Sequence, residues 1–384
     1  MRAATPAVDT TIHWLLDPAC PPVRRLALKT LVRPPAATTT IRRLEQTLAG
    51  DPWVAPLLDG AWREARGGRT RVHPYSKWRG AHWRVVALAE LDIGRAIPGV
   101  ATALAEAVDD TLAWLLSPGR SRAAKAIDGR VRMCASMEGN ALLAMSRLGF
   151  GDDERIATLA TRLVDWQWPD GGWNCDRRPE AHHSSANETW APIRGLAAYR
   201  QFAVDDQLRA AIDEAVARGA GFILRHRVIR SERTGEVMNP RVGWLRWPAY
   251  WHYGLLPGLL ALADAGRIGD PAARDAVDAV EAKRCPDDTW QPDGRWWSQP
   301  GVRGAASTEL VDWGADGEAR MLSLRALQVL LAAGRDISRL RRKRFSRSAG
   351  WNFNDVVMKR RAHRSASAAA ALRSGGREDL AAAG

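Results

Sequence analysis

The feature that most constrains this chain is an alternation in the character of its helices. From about residue 80, stretches with a 3.6-residue apolar period follow one another, and every second one is nearly free of charge along one length. AHWRVVALAELDIG, MCASMEGNALLAMSRLGF, SSANETWAPIRGLAAYR, YWHYGLLPGLLALADAG and GEARMLSLRALQVLLAAG are rich in Ala, Leu, Gly and Met. Between them lie a helix over about 98–117 and then DDERIATLATRLVDW, DQLRAAIDEAVARGAGFILRHR and DPAARDAVDAVEAKR, each with Arg, Asp and Glu on one face. A helix that is apolar nearly all round has to be covered by protein, whereas one with a charged face can meet water. The pattern therefore predicts an all-α protein of inner and outer helices, wound into a single closed α/α barrel, or toroid. No convincing alternating strand is present. We expect short helices over 1–69, the toroid over 70–335 and a basic tail over 336–384. DPACPPVRRLALKTLV near the start has a HEAT-like flavour, which keeps an α-solenoid in view.

With 384 residues, 46% of them apolar, the chain can bury one large core or two ordinary ones. No apolar run approaches the roughly 20 residues needed to span a bilayer. The start lacks a charged-then-apolar leader, so a cytoplasmic protein is expected. Four cysteines without a CxxC pair argue against a disulfide framework. The net charge of +13 is either spread over solvated faces or serves an anionic partner, and both readings stay open. Part of it sits in RLRRKRFSR at 339–347, a tail suited to touching a membrane surface. Nothing there reads bases, so nucleic acid is not expected as a partner. Eighteen Trp stand against five Phe and four Tyr, an excess suited to stacking, cation–π contacts and lining apolar space.

Residues 166–176 read WQWPDGGWNCD, and 284–297 read RCPDDTWQPDGRWW. Pro and Asp-Gly-Gly end an outer helix and permit positive φ, and the Trp can cap a stacked neighbour. These turns resemble the QW-type turns of the terpenoid cyclase/protein prenyltransferase superfamily, which includes the squalene–hopene cyclases. HPYSKWRGAHWR, QWPDGGWNCD, RSERTGEV, YWHYG and ELVDWG are similar to stretches of actinobacterial squalene-cyclase-like proteins, over roughly 70–340. The resemblance implies one α/α toroid that handles an isoprenoid or other apolar small molecule in a central cavity.

If inner helices are parallel staves, their N-terminal ends share one rim. His82, Cys134, His182, His183, Glu188, His252 and Glu318 fall at or near those ends. Helix N-termini favour an anion there, and Lys77, Arg84 and Arg194 could add to it. For a cyclase, Trp78, Trp83, Trp190, Trp247, Trp251 and Tyr253 supply the aromatic wall, with Lys77 and Arg230 toward an anionic group. The DxDD acid motif of class II cyclases is incomplete: AVDDT at 107–111 keeps Asp109 and Asp110 but has Ala107 in place of the first acid. Nor is there a DDxxD to hold magnesium. Glu138, Glu188 and Asp312 substitute by position, with His82 beside them, and no cofactor is expected on this reading. Likeness to the prenyltransferase β-subunits implies instead a zinc held by Asp, Cys and His, here Cys175, Asp176 and His252, with Cys134 or His183 in reserve. The chain would then be a zinc-dependent transferase or hydrolase. The third reading is a non-catalytic helical scaffold binding a lipid or peptide. The Arg- and Trp-rich loop at 225–254 is expected to fold over the rim as a lid, with Arg230 and Arg233 on an anion or in a salt bridge.

Overall fold

The computed structural model describes residues 7–32, 37–63, 72–302 and 307–337; the tail anticipated at 336–384 lies almost wholly outside them. The described residues form fourteen α-helices with short π and 3₁₀ turns. The first four are α1 (Ala7–Leu15), α2 (Pro21–Ala27), α3 (Thr38–Glu45) and α4 (Ala55–Leu58). Then come α5 (Ala81–Glu90), α6 (Ala101–Leu115), α7 (Pro118–Ala123), α8 (Ala135–Leu148) and α9 (Glu154–Asp165). The chain continues through α10 (Ala186–Tyr199), α11 (Asp206–Arg225), α12 (Leu255–Asp264), α13 (Arg274–Ala282) and α14 (Gly314–Ala332). Among the described residues one hairpin of two-residue strands, β1 (Ala126–Ile127) with β2 (Arg130–Val131), is antiparallel.

The alternation in sequence is an alternation in burial. In α8 every residue but Met137 and Arg147 is buried. In α9 the buried residues are Ile156, Leu159, Ala160 and Leu163, one stripe at helical spacing. The charge-poor helices pack in succession, α5 on α8, α8 on α10, α10 on α12 and α12 on α14. Their charged neighbours start with aspartate caps: Asp153 accepts the Arg155 N–H at 2.9 Å and Asp205 accepts that of Gln207 at 2.8 Å. The α8–α10 contact is made backbone to backbone. A Cβ on Gly139 would lie 2.4 Å from the Pro192 nitrogen, and one on Gly195 would lie 2.5 Å from the Gly139 carbonyl oxygen. Glycine within a helix costs about 0.5–1 kcal/mol relative to alanine, and here the close approach requires it.

The first segment belongs to the same core. Leu15, Val23, Leu26, Leu48, Val54 and Leu57 are buried in one cluster with α5 and α14. Arg320 of α14 donates to the Trp14 carbonyl and pairs with Asp17 at 3.1 Å. Arg25 of α2 reaches Glu45 at 2.8 Å and Asp92 at 3.0 Å.

At or toward the C-terminal ends of the charge-poor helices lies a belt of one charged residue from each. Arg325 of α14 donates to the Glu90 carbonyl of α5 at 2.7 Å and to its carboxylate at 2.9 Å. Arg194 of α10 meets Asp264 of α12 at 2.6 Å, and Arg147 of α8 meets the same carboxylate at 3.4 Å. The belt thus ties the last of these helices to the first. Arg194, expected on the rim at the other end, is part of it.

The loop before α12 folds in against α8 and the start of α10. Its Tyr250 is 4% exposed, stacks on Trp78 with ring centres 3.9 Å apart, and donates its hydroxyl to the buried Glu309. Asn140 of α8 donates to its carbonyl at 3.1 Å. Aromatic surface drives this segment inward, and Glu309 satisfies the hydroxyl that would otherwise be stranded. The space left between α5, α8 and α10 is about 20 Å³, lined by Val86, Ala89, Glu90, Asn140, Arg147 and Tyr250 among others. No helix among the described residues is long and apolar enough to cross a membrane.

Candidate functional site

The turn at 168–173 is held by its own backbone and by bonds to the helices on either side. Trp168 N–H donates to the Gly172 carbonyl at 2.8 Å and Gly171 N–H to that of Trp168 at 2.9 Å. Trp173 donates its ring N–H to Leu163 at 2.8 Å, while its backbone N–H meets the Thr189 hydroxyl at 3.2 Å. Asp170 accepts from Ser184 N–H at 2.7 Å. The turn therefore fixes the end of α9 against the start of α10, and Cys175 leaves it two residues later.

Cys175 arrives beside two groups from other helices. Cys134 is the N-cap residue of α8, and Glu188 lies in the first turn of α10. One ligand atom from each, the two sulfurs and a carboxylate oxygen, lie within 4.8 Å of one another. The Cys175 thiol donates to Glu188 at 3.5 Å, and the other oxygen of Glu188 accepts the Ser136 N–H at 2.9 Å. Hydrogen bonding to Cys134, then burial and the charge of Glu188, push the Cys175 thiol well above its usual range. Burial likewise raises Glu188, with Glu138 adding to it. Cys175 and Glu188, packed together, thus hold their protons more tightly than usual when nothing cationic joins them.

This donor set fits a soft-to-borderline divalent metal such as zinc, which takes thiolate and carboxylate ligands. With bonds near 2.3 Å to sulfur and 2.0 Å to oxygen, tetrahedral ligands stand about 3.5–3.8 Å apart. The 3.5 Å between Cys175 and Glu188 already matches.

The ligand set differs from that anticipated. Asp176 points its carboxylate at Arg178, which holds it down to about 2 through side-chain and backbone hydrogen bonds. Asp176 N–H donates to the Asn174 side chain at 3.0 Å and Asp176 accepts the Arg178 N–H at 3.0 Å, local turns that commit its carboxylate to Arg178. His252 is stacked between Trp251 and Trp296, ring centres 4.0 Å from each. Burial takes its pKa down to about 4. His182 and His183 are exposed.

Glu138 is not a free acid. It is fully buried, and both its oxygens are taken by Arg120, at 3.0 and 2.7 Å. His82 is fully buried in a cage of Trp83, Trp114 and Tyr75, with ring centres 4.6, 5.6 and 5.9 Å away. Neither ring nitrogen has a hydrogen-bond partner, and burial lowers its pKa to about 3, so the ring is neutral. Tyr75 links His82 to the cysteines: burial first, then the charges of Cys134 and Glu188, hold its hydroxyl well above the normal phenol range.

The anticipated aromatic wall is packed against itself. Trp78 stacks on Tyr250 and meets Trp83 edge-on at 4.8 Å; Trp247 sits 4.7 Å from Trp313. Trp190 donates to the Trp251 carbonyl at 3.3 Å, and Tyr253 donates its hydroxyl to Val228 at 2.6 Å. Lys77 lies over Trp78 and Trp251, at 5.7 and 5.1 Å. Arg230 is engaged within its own loop, donating to Gly235 at 2.9 Å, and Arg84 is bound to Pro56, Arg79 and Asp59. Asp109 and Asp110 lie on the charged face of α6, held by Arg155 at 2.7 Å and by the Trp62 ring N–H at 2.9 Å. Sequence reasoning missed Tyr75, Arg120, Tyr250 and Glu309. Tyr75, Tyr250 and Glu309 stand in HPYSKWRGAHWR, YWHYG and ELVDWG, but only packing of separate helices gives any of the four a role. No family model, curated protein or solved structure matches this chain.

Proposed function

We propose that the protein is a metal-dependent transferase or hydrolase built on a single α/α toroid, working at the rim where α8 and α10 begin. The toroid reading rests on the succession of charge-poor helices and on Arg325 binding Glu90, which joins the last to the first. The observation that carries the chemistry is the convergence of Cys134, Cys175 and Glu188 within 4.8 Å. A zinc ion held by these three would supply Lewis-acid polarisation of a substrate oxygen or sulfur. Glu188 is steadied for that role by the Ser136 N–H. Arg120 and Glu138 neutralise each other, so the cluster keeps no cation of its own to repel a metal.

A terpenoid-cyclase-like reading, with an isoprenoid at the centre, fits this conformation less well. A space of about 20 Å³ holds roughly one water molecule, and Tyr250 would have to leave. An apolar substrate part could instead lie on the outer side of the aromatic cluster, where Trp251 is half-buried and Lys77 exposed.

Elemental mass spectrometry of the tag-free protein tests the metal reading. We expect about one zinc per chain, lost in Cys175→Ala and in Cys134→Ala but kept in Cys285→Ala. Absence of metal in the wild type, together with failure to take zinc from a chromogenic chelator, overturns it.

A further inference from the structure

Arg246 is buried, 7% exposed, in the segment between α11 and α12. Its guanidinium carbon lies 4.3 Å from the ring centre of Trp244 and 3.5 Å from that of Trp296. Indole therefore covers both faces of the cation, a favourable contact. The N–H donors of a guanidinium lie in its plane, however, so stacking satisfies none of them. Nε and Nη1 are shut off from water and have no hydrogen-bond partner among the described residues. The acid that acts on Arg246 is Asp293, but its Oδ2 receives Leu245 N–H at 2.7 Å and Lys283 at 2.8 Å. Arg241, 5.7 Å from the Trp244 ring, adds a second positive charge. His252, on the other face of Trp296, is neutral, and Lys77 lies beyond it over Trp251. Burial and Arg241 lower Arg246 to about 10, which leaves it charged at neutral pH.

An enclosed donor without an acceptor costs about 1–3 kcal/mol. A ligand that accepts from such a group therefore recovers that cost on binding. An open hollow of about 570 Å³ runs along 292–302, lined by Gly294, Arg295 and Trp297 among others but not by Arg246 itself. Gly294 connects the two: a Cβ there would sit 3.1 Å from the Trp244 ring and 3.8 Å from Arg246 Nε. Arg295 is committed to Glu318 at 2.7 Å, so it offers little free charge. We propose that Arg246, clamped between Trp244 and Trp296, is the anchor of a ligand site in which a phosphate or carboxylate group binds its free edge from the 292–302 hollow. The site is independent of the cysteine cluster and of any metal there.

The test is thermal unfolding of the full chain in rising inorganic phosphate, rising acetate, and chloride at matched ionic strength, with Arg246→Met in parallel. Phosphate stabilises proteins generally by exclusion, so the difference between wild type and variant is what counts. We expect a saturable rise in Tm for the wild type that Arg246→Met lacks, and a methionine variant at least as stable as wild type in chloride. A response to phosphate alone assigns a phosphorylated ligand, and one to acetate a carboxylate. Equal responses in wild type and variant, or none above chloride, overturn the proposal. Should the methionine variant fail to fold, Arg246→Lys decides: about tenfold weaker anion binding supports the site, and unchanged binding overturns it.

Discussion

Trp173 and Trp290 each donate a ring N–H to a carbonyl ten residues back, Leu163 and Val280, at 2.8 and 2.7 Å. Each also gives its backbone N–H to a hydroxyl on a charge-poor helix, Thr189 of α10 and Ser323 of α14. Within the turns, Trp168 N–H meets the Gly172 carbonyl and Cys285 N–H meets that of Thr289, both at 2.8 Å. The same device, Pro-Asp-x-x-Trp at 169–173 and 286–290, has been built twice. Two residues beyond the tryptophan the copies part: Cys175 in the first, Pro292 in the second. The first copy leads to the cysteine cluster and the second to the hollow beside Arg246. The scaffold fixes where a chain emerges, and the next few residues decide what chemistry emerges there.

The largest effects should come from attacking the shared part. Trp173 and Trp290 are 1% and 0% exposed. Truncating a buried aromatic to alanine costs about 3–5 kcal/mol, and each also strands a carbonyl. Trp173→Ala and Trp290→Ala should therefore lower the urea midpoint alike, at constant m. A second-turn variant losing less than about half as much would show that the two turns are not one device.

The titrating groups near each copy should bias stability in opposite directions. His82, on the side of the first copy, has its pKa lowered to about 3 from an ordinary 6.5. A depressed histidine is fully stabilising above 6.5 and loses stability as pH falls toward 3. By pH 5 that loss is on the order of 2 kcal/mol. Glu318, beside Arg295 on the side of the second, is raised by burial despite its partner. A raised carboxylate loses stability as pH climbs from the ordinary range through its folded value. Unfolding followed from pH 4 to 8 should therefore show His82→Leu flattening the acid limb and Glu318→Gln the opposite limb. If His82→Leu leaves the acid limb unchanged, the histidine is not buried neutral.

The helices were legible because burial acts on composition: α8 can be nearly charge-free only if it is enclosed, and α9 carries a stripe because one face is not. Cys175 was legible from its place after the turn. Its partners were not. Asp176 is adjacent in sequence, but local turns commit its carboxylate to Arg178, whereas Cys134 and Glu188 reach Cys175 through the glycine-mediated contact of α8 with α10. The eye is also drawn to Pro-Asp-Gly at 292–294, yet Pro286-Asp287 forms the second copy, because the hydrogen bonds fall on Cys285 and Thr289. Nothing in the letters of 247–253 says that Tyr250 turns inward; that depends on Glu309, far along the chain, accepting its hydroxyl.

The smallest effects separate the copies at a single backbone position. Gly171 has φ +92 and its counterpart Asp288 has φ +68, both left-handed. Aspartate tolerates that region better than most side chains, whereas glycine enters it freely. At 171 the space is closed as well: a Cβ would lie 2.5 Å from the Arg218 carbonyl oxygen of α11. Gly171→Asp, which gives the first turn the second's residue, should cost about 1–3 kcal/mol. Asp288→Gly relieves the backbone but removes the carboxylate 2.8 Å from Arg284. Because Arg284 is only 9% exposed, the swap is made in an Arg284→Met background, where no buried cation is stranded, and its net effect there should stay under about 1 kcal/mol. Large and equal losses from both swaps would mean the turns differ in backbone; the asymmetry would mean that one backbone serves both and that the packing of α11 alone demands glycine at the first.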